Sequence, residues 1–130
     1  MLSKLTTAAL AATLSLAASA AMAGASDFAF EPVNPEMKKG DDVTLAVRLL
    51  NRQTGKPVPD AVIFKTRVDM APDGMATMTA PLERVPGGTP GTYRFRTNLM
   101  MAGGWQISLA AKVTGEVGTV QSRLVLKAVP

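Results

Sequence analysis

The sequence predicts an all-β domain, an antiparallel sandwich of about seven short strands preceded by an export signal. Three observations carry that expectation. Apolar and polar residues alternate with period two over several runs, as they do where a strand buries one face. Nine Pro and eleven Gly punctuate the chain, separating those runs at roughly ten-residue intervals. After the N-terminal stretch, no run repeats at the three-to-four-residue spacing a helix needs. Together they point to an immunoglobulin-like β-sandwich.

Lys4 is followed by an uncharged, small and apolar run from Leu5 to Ala20, and Ala21-Met22-Ala23 has the small-x-small pattern of a cleavage site. Residues 1–23 therefore read as a signal peptide and residues 24–130 as one domain. The expected location is the periplasm, with membrane contact only if the leader stays attached. Removing it takes one lysine, leaving thirteen basic against ten acidic side chains, a net +3. These charges are dispersed, so no basic block points to nucleic acid.

The strands follow in order. Ser26–Val33 alternates weakly, and Pro32 suits an edge position because it has no N–H to give a neighbour. Asn34–Gly40 reads as a connector. Asp42–Leu50 puts Val43, Leu45, Val47 and Leu49 on one face, with Thr44 and Arg48 on the other. After a turn at Asn51–Lys56, the run Ala61–Met70 puts Val62, Phe64, Thr66, Val68 and Met70 on the predicted core face. Ile63, Lys65, Arg67 and Asp69 take the other face. Pro and Gly crowd 71–91 too densely for a helix, with room for one short strand near Met78–Val85. Tyr93, Phe95, Thr97 and Leu99 alternate with Arg94, Arg96 and Asn98. Trp105–Val113 resumes the pattern, and Val120–Val129 closes the domain with Leu124 and Leu126 inward.

Chemistry is restricted by what the chain lacks. With no cysteine and no histidine, neither a disulfide framework nor a His- or Cys-based nucleophile is available. The carboxylates are few and scattered: Asp41, Asp42, Asp60, and Asp69 and Asp73 around a loop. Nothing in that spacing sets two acids across a cleft, and the glycine pairs lack the Lys and helix of a phosphate loop. An enzyme is not expected.

The distinctive feature is methionine. Five of eight fall between positions 70 and 101: Met70, Met75, Met78, Met100 and Met101. They either fill gaps in a core, the usual task of this flexible side chain, or gather thioether sulfurs at one end of the sandwich. Thioethers are soft, uncharged donors that select Cu(I), and Ag(I) after it, over harder ions. A site at Met70, Met75, Met78 and Met101, with Trp105 screening it, is the sharper reading. At most one of Met100 and Met101 would serve, since adjacent strand residues face opposite ways. The plainer reading makes Trp105 a core plug and Gly103-Gly104 a bulge or bend.

Gly55-Lys-Pro-Val-Pro-Asp-Ala61, a Met-bearing loop, Pro90-Gly-Thr-Tyr93 and Leu99-Met-Met-Ala-Gly-Gly-Trp105 together resemble the YtkA-like/FixH-like exported domains over about residues 27–128. That resemblance implies an immunoglobulin-like sandwich in a setting of copper homeostasis, heavy-metal efflux or oxidase maturation. The family's loop methionines would fall on Met70, Met75 and Met78 and its later one on Met101. It also implies a membrane efflux or oxidase-assembly component as partner. Three functions follow as expectations: a periplasmic Cu(I)-binding protein, a non-metal interaction module of a cell-envelope complex, or a plain structural sandwich of an envelope assembly.

Overall fold

The computed structural model describes residues 27–130; the expected signal peptide, residues 1–23, lies outside them. Among the described residues, nine strands form two sheets. The first has the order β1(Phe28–Pro32), β3(Gly40–Asn51), β7(Thr92–Leu99), β6(Leu82–Val85). The second has the order β2(Glu36–Lys38), β9(Thr119–Val129), β8(Gly103–Val113), β4(Ala61–Met70), β5(Met75–Ala80). Their inner faces meet in one core that includes Leu45, Leu49, Met70, Leu99, Ile107 and Leu126, each at most 2% exposed.

The period-two runs locate the long strands. Leu45, Val47 and Leu49 of β3, Tyr93, Phe95, Thr97 and Leu99 of β7, and Trp105, Ile107 and Leu109 of β8 are all buried, as alternation requires. Pro32 lies in β1 at the edge of the four-stranded sheet. The expected count of about seven strands becomes nine. One addition is β2, read from sequence as connector. It pairs in parallel with β9 through Met37 and Ala128, and three residues are too few for alternation to register. The other is a split at Pro81: the expected strand at 78–85 is β5 in one sheet and β6 in the other. Proline cannot continue a ladder, so the chain changes sheet there.

Strand β4 corrects the sequence reading more sharply. Ile63 pairs with Ala111 and Lys65 with Ala110, leaving Phe64 without a partner in a β-bulge. The extra residue reverses the parity of everything before it. Val62 and Phe64, expected in the core, are 65% and 56% exposed. Ile63, expected outside, packs against the core instead. Beyond the bulge the expected parity returns and Val68 and Met70 are sealed in, but Thr66, expected in the core, is exposed, and Asp69, expected outside, is buried.

Tyr93 fixes where β4 begins. Its hydroxyl donates to the Val58 carbonyl at 2.7 Å and accepts from the Ala61 N–H at 3.1 Å. The loop Pro57–Asp60 is thereby tied to β7 of the opposite sheet.

Candidate functional site

Among the described residues, Met37, Met70, Met75, Met100 and Met101 lie toward one end of the sandwich. At that end β4 finishes, β7 hands over to β8, and β2 runs beside the last residues of β9. Met37 pairs with Ala128, and Ala128 with Gly103. Met70 pairs with Met75 across β4 and β5. The Met70 methyl lies so close to Gly103 that a β-carbon there would stand 3.1 Å from it. Met100 and Met101 form the loop between β7 and β8.

A 3-10 turn, Ala71–Asp73, closes the rim. Asp69 makes it possible: Oδ1 accepts the Ala71 N–H at 2.9 Å, a side-chain-to-backbone turn two residues long. Oδ2 accepts from Arg67 Nε at 2.8 Å, and the other end of that guanidinium donates to the Ala76 carbonyl at 2.8 Å. One carboxylate and one arginine thus hold both ends of the connection from β4 to β5. Burial pushes the Asp69 carboxyl up. The Ala71 N–H, the hydrogen bond and charge of Arg67 and the charge of Arg123 outweigh that, so its pKa lies below the ordinary carboxylate value.

From the other side the turn is held by Asp73, whose Oδ2 accepts the Gly104 N–H at 3.1 Å. The approach is tight. A β-carbon on Gly103 would overlap the Asp73 carboxylate, and one on Gly104 would come within 2.9 Å of Pro72. Gly103 also has φ near 140°, where side chains are rarely tolerated. Gly103-Gly104 therefore opens strand β8 where a second piece of backbone passes close by. Trp105 is a core plug, 2% exposed, and its Nε1 donates to the Met101 carbonyl at 3.0 Å. That bond anchors the Met100–Met101 loop while leaving its side chains outside.

The predicted site residues divide. Met70 is sealed in the core at 0% exposure and Met75 packs against that core. Met101 is 41% exposed on the adjoining loop, and Met100 at 60% is more open still. Both belong to the loop after β7, so strand alternation does not choose between them. Met78, 42% exposed, sits in an irregular stretch of β5: residues 76–78 fall between the pairs Met70–Met75 and Asp69–Thr79. The sequence reading missed the two aspartates as structural locks. Asp two residues before a Pro-containing turn was the available signal.

Among the described residues, no group of three or more His, Cys, Asp or Glu is placed to hold a metal. That observation concerns imidazole, thiolate and carboxylate donors, not thioethers. No helix among the described residues is long and apolar enough to cross a membrane.

Two sheets packed face to face, with a locked methionine rim, define an immunoglobulin-like β-sandwich module. The chain belongs to the YtkA-like family, whose model matches residues 22–110. The match ends within β8, short of the residue 128 that the sequence resemblance suggested. Domains of this family are non-catalytic and typically exported to the periplasm. No curated protein matches the sequence significantly. Among solved structures, the chain is similar to the Lin-41 filamin domain: 13% identity, TM-score 0.48, covering 82% of this chain and 94% of that one. It is also similar to the ZirS C-terminal domain: 12% identity, TM-score 0.46, covering 81% and 67%.

Proposed function

We propose that this domain is a non-catalytic interaction module of the cell envelope whose methionine rim docks a protein partner. The observation that carries this reading is the division of the methionines. Met70 and Met75 build the rim from inside, while Met78, Met100 and Met101 present flexible apolar side chains to solvent. Unbranched thioethers adapt their shape to a partner at little strain, which suits them to contact surfaces. The base beneath them is rigid, held by Asp69, Asp73 and the Trp105 bond to the Met101 carbonyl. A membrane efflux or oxidase-assembly component is the partner class that the family resemblance suggests.

A second reading keeps a specific observation behind it. Met70 and Met75 are direct cross-strand partners, and Met101 lies on the neighbouring loop, so Cu(I) or Ag(I) held by Met75, Met101 and a rearranged Met70 or Met78 remains chemically sensible. Where Met70 is the third ligand, it must leave a sealed core to expose its sulfur.

Photo-crosslinking in intact cells tests the first reading. A photoreactive residue at Met100 or Met101 is expected to capture one envelope protein that the same group at Val117, on the turn at the far end of β8, does not. Capture from all three positions, or from none, would contradict it. Titration with Cu(I) against a competing chelator separates the second: equal affinity in wild type and in the Met75→Leu/Met101→Leu variant would remove it.

A further inference from the structure

Away from the rim, the two sheets differ in how they treat positive charge. Every arginine of the four-stranded sheet has a partner. Arg48 meets Glu31 and Arg96 meets Asp42, each at 3.2 Å. Arg94 donates to the Pro86 carbonyl, and Arg84 lies over the Tyr93 ring. On the five-stranded sheet, β4, β8 and β9 carry Lys65, Arg67, Lys112, Arg123 and Lys127 with Asp69 as their one acid, and Glu36 of the edge strand β2 stands beside Lys127 only. Asp69 is already bonded to Arg67.

Register places these cations. Across the outer face, Lys65, Ala110 and Gln121 form one row, and Arg67, Ser108 and Arg123 the next. The middle strand contributes only small side chains there, and its neighbours contribute long ones. The result is an open trough of about 500 Å³ with Ser108 and Ala110 at its floor. Ala110 is 6% exposed although it faces outward, so the walls rise above it. Lys112 donates to the Val117 carbonyl and Arg67 serves Asp69 and Ala76, whereas among the described residues Lys65 and Arg123 make no hydrogen bond or ion pair, although the charge of Arg123 also acts on Asp69. These two cations stand on opposite walls, two strands and two residues apart, a diagonal of about 12 Å between their backbones.

We propose that this trough binds an acidic, extended segment of a partner protein, laid along β8. The geometry fits that occupant. Successive side chains of an extended peptide point to opposite sides, so neighbouring Asp or Glu residues turn one carboxylate toward Lys65 and the next toward Arg123. Ser108 and Gln121 supply hydrogen-bonding groups between them. A single small anion has no such convergent donor set, because Lys65 and Arg123 stand in different rows on opposite sides of the floor. A flat anionic bilayer would not reach the floor between the walls. The backbone of β8 is already paired on both sides, so recognition runs through side chains, and charge sets rate and partner choice. This surface is separate from the methionine rim and stands or falls without it.

The test uses the full-length chain and a fluorescent Glu-rich peptide long enough to span β8, followed by anisotropy. A Gln-rich peptide of the same length and vesicles of phosphatidylglycerol are the comparators. The Glu-rich peptide is expected to bind, less tightly as salt rises, while the Gln-rich one does not. Lys65→Glu and Arg123→Glu should each weaken binding about tenfold or more. Lys56→Glu, the same charge change on an exposed turn, should leave it within about twofold. Lys65→Gln, checked for an unchanged circular dichroism spectrum, guards against misfolding and should also weaken binding. Equal binding of both peptides, equal losses at Lys56, or binding to vesicles without binding to the peptide would each overturn the proposal.

Discussion

The two halves of β4 make opposite use of similar residues. Before the bulge, Val62 and Phe64 stand in solvent; after it, Val68 and Met70 are sealed in the core. All four share one face in an uninterrupted alternation, and one unpaired residue separates their fates. Burial along a strand is thus set by register with its neighbour, and hydrophobicity alone does not report it. The consequence is functional. The late half anchors the methionine rim, and the early half leaves an apolar surface beside the trough wall at Lys65.

Substitutions sharpen that contrast, beginning with the largest expected effect. Met70→Ala should lower the unfolding free energy by about 2–5 kcal/mol, because it leaves a cavity in a packed core. Phe64→Ala and Val62→Ala should stay within about 0.5 kcal/mol. Urea denaturation of the three variants checks this, and equal losses at Met70 and Phe64 would refute the assigned register.

Next comes the close approach at the rim. Gly103→Ala should cost about 1–3 kcal/mol, from an overlap with Asp73 and a disfavoured backbone region. Adding Asp73→Ala should recover part of that loss, because it removes one of the clashing groups. Strict additivity in the double-mutant cycle would show that the two residues do not meet.

Asp69 gives a pH signature. Its folded pKa lies below its unfolded value, so its stabilisation is fully present above the unfolded carboxylate value. It is lost as pH falls through the lower folded value. Wild type should lose stability over that acidic window. Asp69→Asn should be less stable by about 1–3 kcal/mol at neutral pH and show a flatter acid limb. Parallel pH profiles for the two proteins would count against the lock that Asp69 forms with Arg67 and Ala71.

The smallest effect lies in the opposite sheet. Thr97 is 1% exposed and its hydroxyl has no hydrogen-bond partner among the described residues. Thr97→Val keeps the shape and removes an unsatisfied polar group, so the melting temperature should hold or rise, by no more than about 1 kcal/mol in stability terms. A clear loss would mean that the hydroxyl is satisfied in solution.

Much of this was legible in the sequence where one rule dominates. Long strands with strict alternation, such as Thr92–Leu99 and Trp105–Val113, show their buried face because each residue either reaches the core or does not. Whether Met70 and the Met100–Met101 loop share one end was legible only as a condition, since it depends on how the strands ending at 70 and 99 are arranged in the two sheets. What stayed hidden depends on pairing. A bulge at Phe64 has no local signal, since Ile-Phe-Lys alternates as well in either parity. The three residues of β2 are too short to show a period. Gly103-Gly104 read as a bend because the partner that demands their missing β-carbons, Pro72-Asp73, lies some thirty residues earlier in the chain. The basic trough was invisible for the same reason. Lys65, Arg67 and Arg123 look scattered in sequence and become neighbours only across β8.

The division of the methionines into an inner and an outer set is most directly tested by hydrogen-peroxide footprinting. Each methionine is read by mass spectrometry in the purified protein and in intact cells, with a Cu(I) chelator present throughout. The account predicts that Met70 resists oxidation in both settings. Met100 and Met101 should oxidise readily when purified and be shielded in cells, where the partner covers them. Rapid oxidation of Met70 in the folded protein, or equal oxidation of Met100 and Met101 in both settings, would contradict it.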